Sequence, residues 1–167
     1  DTDPTTNRIT FNVTAVNDAP TSANTSFSTA EDTMRVFQIS DFAFADVDTG
    51  NTIQSVKITA LPLDGAIQYF NGTAWTAIAA NAVVTAADIT SGKLRFVPDL
   101  NESGADIFGG SAVGNKQASY ATFTLQVGDG QAYSGNATAT IDVSPVADDP
   151  LLRFGGVGIV DGSTVIS

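Results

Sequence analysis

The chain contains neither cysteine nor histidine among its 167 residues. Without cysteine, no disulfide can staple the fold. Without histidine, the chain lacks the commonest general base and transition-metal ligand, so we expect no zinc centre. Only 7 lysines and arginines stand against 18 aspartates and glutamates, which gives a net charge of −11. So acidic a chain disfavours a nucleic-acid partner and favours the binding of cations.

Long apolar runs are also missing, because no stretch of 18 apolar residues occurs. We therefore expect no insertion into a membrane. No basic and then apolar leader precedes the first strand, and the chain has the character of a piece from the middle of a longer protein. Hydrophobic residues still make up 43% of it, which is enough to build one core with flanking pieces.

One sequence pattern occurs twice, and its two copies bound the central part of the chain. Residues 9–20 and 139–150 each alternate apolar and polar side chains and then end in an acidic joint followed by proline. Aligning Pro20 with Pro150 superposes Phe11 on Ile141 and Val13 on Val143. The alternation predicts a half-buried strand, and its recurrence predicts a tandem array.

Short alternating runs separated by turn residues fill the space between the two joints. They predict strands over 53–61, 66–70, 73–78, 93–97, 121–127 and 137–146, a short edge strand near Phe27, and a strand over 34–40. In the first of these, Val56, Ile58 and Ala60 alternate at period two and are expected on one face. Asn71-Gly72 predicts a type I′ hairpin turn, and Thr85 predicts the cap of one helical turn that Gly92 ends. Trp75 is expected in the core. Such a pattern is typical of an all-β, antiparallel β-sandwich.

Several stretches resemble the cadherin-like tandem repeats of giant bacterial surface adhesins of the RTX type. They are the joint Val16–Pro20, the acidic loop Phe44–Asn51, the segment Gly92–Asp99 with Asn101 and Gly104, and the turn Val127–Gly130. The resemblance covers nearly all of residues 16–150. It implies a cadherin-like or immunoglobulin-like sandwich that binds Ca²⁺, in a long adhesin exported to the bacterial cell surface.

We accordingly divide the chain into five parts. Residues 1–16 are expected to be the terminal strand of a preceding repeat, and 17–20 a calcium-binding linker. Residues 21–147 form the complete module, 148–150 the next linker, and 151–167 the start of another module. The expected partners are the adjacent repeats of the same chain, and the module itself is expected to be a monomer.

The acidic loops offer oxygen ligands at both joints. Asp46 and Asp48 can converge where their loop turns, with Asn51 behind them and Asn17 and Asp18 supplied by the linker. Calcium prefers six to eight such oxygens, although magnesium and manganese also accept them. For the next joint, chemistry and resemblance suggest Glu31, Asp99, Glu102, Asp148 and Asp149, with Asp106 as the alternative to Glu102. Isolated aspartates such as Asp41 and Asp64 are interpreted as turn residues.

Three functions are compatible with these features. The first is a calcium-stiffened extender module that supports adhesion or biofilm formation. The second is a module that itself binds a glycan, a peptide or a neighbouring cell, for which Tyr69, Phe70, Trp75 and Tyr133 could form an aromatic platform. An enzyme is not expected, because no Gly-x-Ser-x-Gly elbow or phosphate loop is present and the acids cluster at module ends instead of in one cleft.

Overall fold

A computed structural model describes residues 8–104 and 119–146, together with the backbone of residues 152–154 and 157–159. The strands are β1 Thr25–Ala30, β2 Arg35–Val36, β3 Ser55–Ala60, β4 Ala66–Phe70, β5 Trp75–Ala77, β6 Ala82–Thr85, β7 Leu94–Val97, β8 Ala121–Gly128, β9 Ala137–Ser144, β10 Leu152–Phe154 and β11 Val157–Ile159. A 3-10 helix spans Ile39–Asp41, and helix α1 spans Ala86–Thr90. In the described part of the chain, no helix is long and apolar enough to cross a membrane.

The strands between the two joints form two sheets, which confirms the predicted all-β sandwich. The five-stranded sheet has the order β1-β9-β8-β3-β6, and the four-stranded sheet has the order β2-β7-β4-β5. Pairing is antiparallel except that β1 runs parallel to β9, with Phe27 beside Ile141. Strand β1 therefore closes the sheet at its edge, as expected of a short edge strand. Strands β10 and β11 form a separate antiparallel pair.

The alternation of apolar residues fills the space between the sheets. Strand β8 buries every second residue, and Phe123, Leu125 and Val127 are at most 2% exposed. Phe37 lies at the centre, with ring centroids 5.3 Å from Phe27 and 5.9 Å from Phe123. Aromatic contacts across both sheets thus complete a single core.

Four local predictions are wrong. Strand β2 holds only two residues, because the chain turns into the 3-10 helix Ile39–Asp41 soon after it. Phe37 lies before that helix, where it is fully buried and its N–H donates to Leu94 O at 3.0 Å. The hairpin closes around Gly72 and Thr73, since Asn71 donates its N–H to Ala74 O at 3.1 Å. Only Gly72 of the turn has a positive φ, so the second such residue that a type I′ turn requires is missing. The Asn71 side chain accepts the Thr73 and Ala74 amides.

The other two errors concern burial. Trp75 is half-buried outside the core, with the Arg95 guanidinium 3.9 Å from its ring centroid. Ala60 is exposed, because the pairing of β3 with β8 shifts register between Ile58 and Ala60. The shift breaks the alternation that was expected to continue through this residue.

The segment before the sandwich differs from its aligned partner. Residues 8–20 form no strand, and Ile9, Phe11 and Val13 are 77–92% exposed. Their counterparts in β9 are fully buried. The assignment of residues 1–16 to a preceding repeat stays a prediction, because the described part of the chain contains no second sandwich against which they could pack.

Candidate functional site

Three carboxylates converge at the end of the sandwich where β9 finishes, which we call the downstream end. Asp64 lies in the β3–β4 loop, and Asp99 and Glu102 follow β7. One oxygen from each lies within 4.8 Å of the others, and this is the one such group of potential metal ligands in residues 8–104 and 119–146. We call these residues the downstream carboxylate group.

Two glycines bring the loops together. Gly65 has a φ of +69°, and a Cβ there would lie 2.5 Å from the Phe96 ring, so only glycine fits the turn beside Asp64. The Gly65 N–H then donates to Asp99 Oδ2 at 3.0 Å. At Gly104, a Cβ would lie 2.6 Å from the Tyr120 Cα, while its own N–H donates to Val143 O at 2.8 Å. The loop after β7 is therefore held against β9.

Tyr120 contacts two members of the downstream carboxylate group from the core of the sandwich. Its side chain is 2% exposed, and its ring packs against Phe96 at 6.2 Å between centroids. Its hydroxyl accepts the Asp99 N–H at 3.0 Å and donates to Glu102 Oε2 at 2.9 Å. Burial raises the pKa of Tyr120 well above its usual range, so the hydroxyl stays protonated and orients the Glu102 carboxylate.

The chemistry of this donor set fits a hard cation. Three carboxylates in reach of one point supply up to six oxygens, whereas zinc would favour nitrogen or sulfur. Without a cation their charges repel one another, since two unit charges 4.8 Å apart cost about 1 kcal/mol in water. The downstream carboxylate group could therefore hold a metal ion.

The other residues predicted for this joint divide into two sets. Glu31 is 7% exposed, its N–H donates to Ser144 O at 2.9 Å, and its carboxylate accepts the Val146 N–H. It therefore fastens the segment that leaves β9, and the downstream carboxylate group does not include it. Asp148 and Asp149, and the alternative Asp106, lie outside the described residues, as does the predicted linker 148–150.

At the opposite end, which we call the upstream end, the predicted residues lie together. Asp46 Oδ1 accepts the Asp48 N–H at 2.8 Å, and Asp48 Oδ2 accepts the Asp18 N–H at 2.8 Å. The Asn51 amide donates to Asp46 Oδ2 and to Asn17 Oδ1, both at 3.3 Å. The linker and the acidic loop therefore meet at one end of the sandwich, as the prediction of a shared joint required. Their role as metal ligands stays a prediction.

The turn after β8 also joins the upstream end. Asp129 Oδ2 accepts from the Asn17 amide at 2.9 Å, and Gln131 Nε2 donates to Asn17 Oδ1 at 2.8 Å. The Ala132 N–H, the Asn17 amide and the Gln131 N–H all donate to the Asp129 carboxylate, and they hold its pKa below the usual range. Beside these contacts, Val16, Asn17, Asp48 and Gln131 help to line an open cavity of about 380 Å³.

Sequence reasoning missed Asp64 and Asp129 as members of these two groups. Each was interpreted as a turn residue, because each stands beside a glycine between two strands. That local interpretation holds for Asp129, whose Oδ1 accepts the Gln131 and Ala132 amides at 2.7 Å. Only the topology could have identified Asp64 and Asp129 as members of these groups, since each turn lies at an end of the sandwich that also carries an acidic loop.

No model of a known protein family, no curated protein and no solved structure matches this chain. Its class is defined by its fold and its local chemistry, a β-sandwich with an acidic group able to hold a metal ion.

Proposed function

We propose that this chain is a calcium-stiffened extender module of a large adhesin on a bacterial cell surface, where it supports adhesion or biofilm formation. The observation that carries this proposal is the repeated apolar pattern, of which only the second copy forms a strand. Phe11 and Val13 are 83% and 92% exposed, while the aligned Ile141 and Val143 are fully buried in β9. An exposed segment with the apolar pattern of a central strand is suited to burial in another sandwich, as a preceding repeat would provide.

The positions of the two joints support an in-line module. The linker contacts Asp129, just after β8 ends, whereas Val146 leaves beside Glu31. Because β8 and β9 are antiparallel, these contacts lie at opposite ends of β9. Eight residues at ~3.3 Å each separate the ends by about 25 Å. A chain that enters one end and leaves the other adds its full length to an array.

Calcium is the proposed cation at both ends. Downstream, Asp64, Asp99 and Glu102 would hold it at the surface that faces the next module. Upstream, Asn17, Asp18, Asp46 and Asp48 would supply carboxylate, amide and carbonyl oxygens, which suit the larger ion better than magnesium. A cation that neutralises the loops at each joint would remove their repulsion and restrict movement between neighbouring modules.

The second candidate is a ligand-binding module, and one observation favours it. On the four-stranded sheet, the rings of Phe70 and Trp75 lie 5.4 Å apart and Arg95 stacks on Trp75. Gln68 Oε1 accepts two hydrogen bonds from the same guanidinium, at 3.0 and 2.8 Å. This half-buried patch could contact a glycan or peptide, but Tyr69 is directed elsewhere because its hydroxyl donates to Asp88.

Thermal melting in calcium and in chelator tests the extender proposal. Each tenfold rise in free calcium above the dissociation constant should stabilise the chain by about 1.4 kcal/mol per site. Small-angle scattering of a chain that includes a complete preceding module should show a longer, stiffer particle in calcium. An unchanged melting temperature, together with an unchanged maximum dimension, would refute the proposal. Binding to immobilised glycans that is lost in Trp75→Ala would favour the second candidate.

A further inference from the structure

The side chain of Asn17 is the most highly connected polar group of the upstream end. Its Nδ2 donates to Asp129 Oδ2 and to the Asp18 carbonyl, both at 2.9 Å. Its Oδ1 accepts from Gln131 at 2.8 Å and from Asn51 at 3.3 Å. We call these five residues the Asn17 network. One amide thereby joins the linker to two separate loops of the sandwich.

The turn that carries Asp129 is held rigidly. Asp129 Oδ1 accepts the Gln131 and Ala132 N–H groups at 2.7 Å, which leaves Oδ2 to face the linker. Gly130 has a φ of +98°, a conformation that favours glycine. Gly128 lies against the Tyr133 ring, where a Cβ would approach to 2.8 Å. The acceptor that receives Asn17 is therefore fixed by β8 and its turn before the linker docks.

Further hydrogen bonds hold the linker beside the Asn17 network. The Asp18 N–H donates to Asp48 Oδ2 at 2.8 Å, and Thr21 and Ala45 exchange backbone hydrogen bonds of 2.7 and 3.0 Å. The linker is thus bound along its length, with the Asn17 network at its far end. Neutral amides supply most of these donors, so the contacts form from the chain's own groups.

We infer that Asp129 is a positioning residue for the linker, and that its hydrogen bond to Asn17 sets the direction in which residues 8–16 leave the sandwich, with or without a bound cation. The inference refines the proposed module without resting on calcium. It identifies the turn after β8, beside the acidic loop of Asp46 and Asp48, as a second surface that holds the preceding segment.

Exchanging the polarity of this hydrogen bond tests the inference. Asn17→Asp places two carboxylates face to face, and Asp129→Asn places two amide donors face to face while its remaining oxygen can still accept the turn amides. The double variant N17D/D129N restores one donor and one acceptor, and it keeps the net charge of the original chain. Hydrogen exchange of the Asp18 and Thr21 amides, followed by NMR in chelator, reports linker release.

We expect each single variant to accelerate exchange of these amides about tenfold, and the double variant to recover most of the protection. The Val56 amide in β3 should exchange at an unchanged rate in all variants, since Asn17 lies outside the sandwich. Unchanged exchange in the single variants, or a double variant no better protected than they are, would overturn the inference. Repeating the series in calcium tests the proposed function separately, because a missing calcium effect leaves the result in chelator intact.

Discussion

The downstream carboxylate group allows a prediction in which the sign of a mutational effect depends on calcium. Asp99→Asn removes one of three charges but keeps an oxygen that can accept the Gly65 N–H. Without calcium, two of the three repulsive pairs disappear, each worth about 1 kcal/mol in water at this separation. In chelator, the free energy of unfolding of the variant should therefore equal that of the original chain or exceed it by up to about 2 kcal/mol.

In calcium the order should reverse. At a free calcium concentration 100 times the dissociation constant, a site adds about 2.7 kcal/mol to the free energy of unfolding. For a module of this size, 1 kcal/mol corresponds to a shift in melting temperature of roughly 3 °C. The original chain should gain about 8 °C from this site, and Asp99→Asn should lose most of that gain.

Calorimetry in chelator and over a calcium series measures both effects. Asp41→Asn is the matched control, because Asp41 is not part of the downstream carboxylate group. It forms an ion pair with Arg35, with 3.0 Å between the guanidinium nitrogen and the carboxylate oxygen. This control should melt lower in both buffers but keep the full rise in calcium. If Asp99→Asn lost the same stability in both buffers, Asp99 would serve only the Gly65 turn and the reasoning about charge would be wrong.

Three further predictions concern the core, pH and the joint. Phe37→Ala should lower the free energy of unfolding by about 3–5 kcal/mol in urea titrations, because Phe37 is fully buried, while Phe11→Ala, at an 83% exposed position, should change it by less than about 0.5 kcal/mol. The Lys93 ammonium donates a hydrogen bond of 2.7 Å to Asp88 and lowers the pKa of that carboxyl. The stabilisation that the Asp88 carboxylate contributes should therefore be complete above about pH 4 and be lost as the pH falls through the folded-state pKa. Lys93→Met should raise the Asp88 pKa in an NMR titration. Asp48→Ala should loosen the upstream joint in small-angle scattering without unfolding the sandwich, and unchanged stiffness in calcium would exclude a bridging role for Asp48.

Two of the wrong sequence predictions, the strand over 34–40 and the burial of Trp75, have the same cause. The strand over 34–40 failed because the chain turns into a 3-10 helix at Ile39, just after Phe37 has entered the core. Trp75 was expected inside because large aromatic residues in strands are usually buried, but β5 lies at the edge of its sheet and Arg95 covers the ring. In both cases, the tertiary position overrode a correct local preference.

The sequence by itself determined the class of the fold and most of its strands. Alternation at period two specifies which face is buried, and strong cases such as β8 and β9 need no knowledge of their neighbours. Sequence also located the acidic loops and the repeated apolar pattern, since these are properties of contiguous residues. The approach of Asp18 to Asp48 was expected only if the acidic loop and the linker share one end of the sandwich, and the structure meets that condition.

Only the tertiary structure decided which distant groups meet. Asp64 joins Asp99 and Glu102 because two loops share one end of the sandwich, and Asp129 meets Asn17 across 112 residues of chain. The parallel pairing of β1 with β9 likewise has no local mark in the sequence. The physical reason is that strand order and register bring these side chains together, and both are fixed by packing between sheets rather than by any short run of residues.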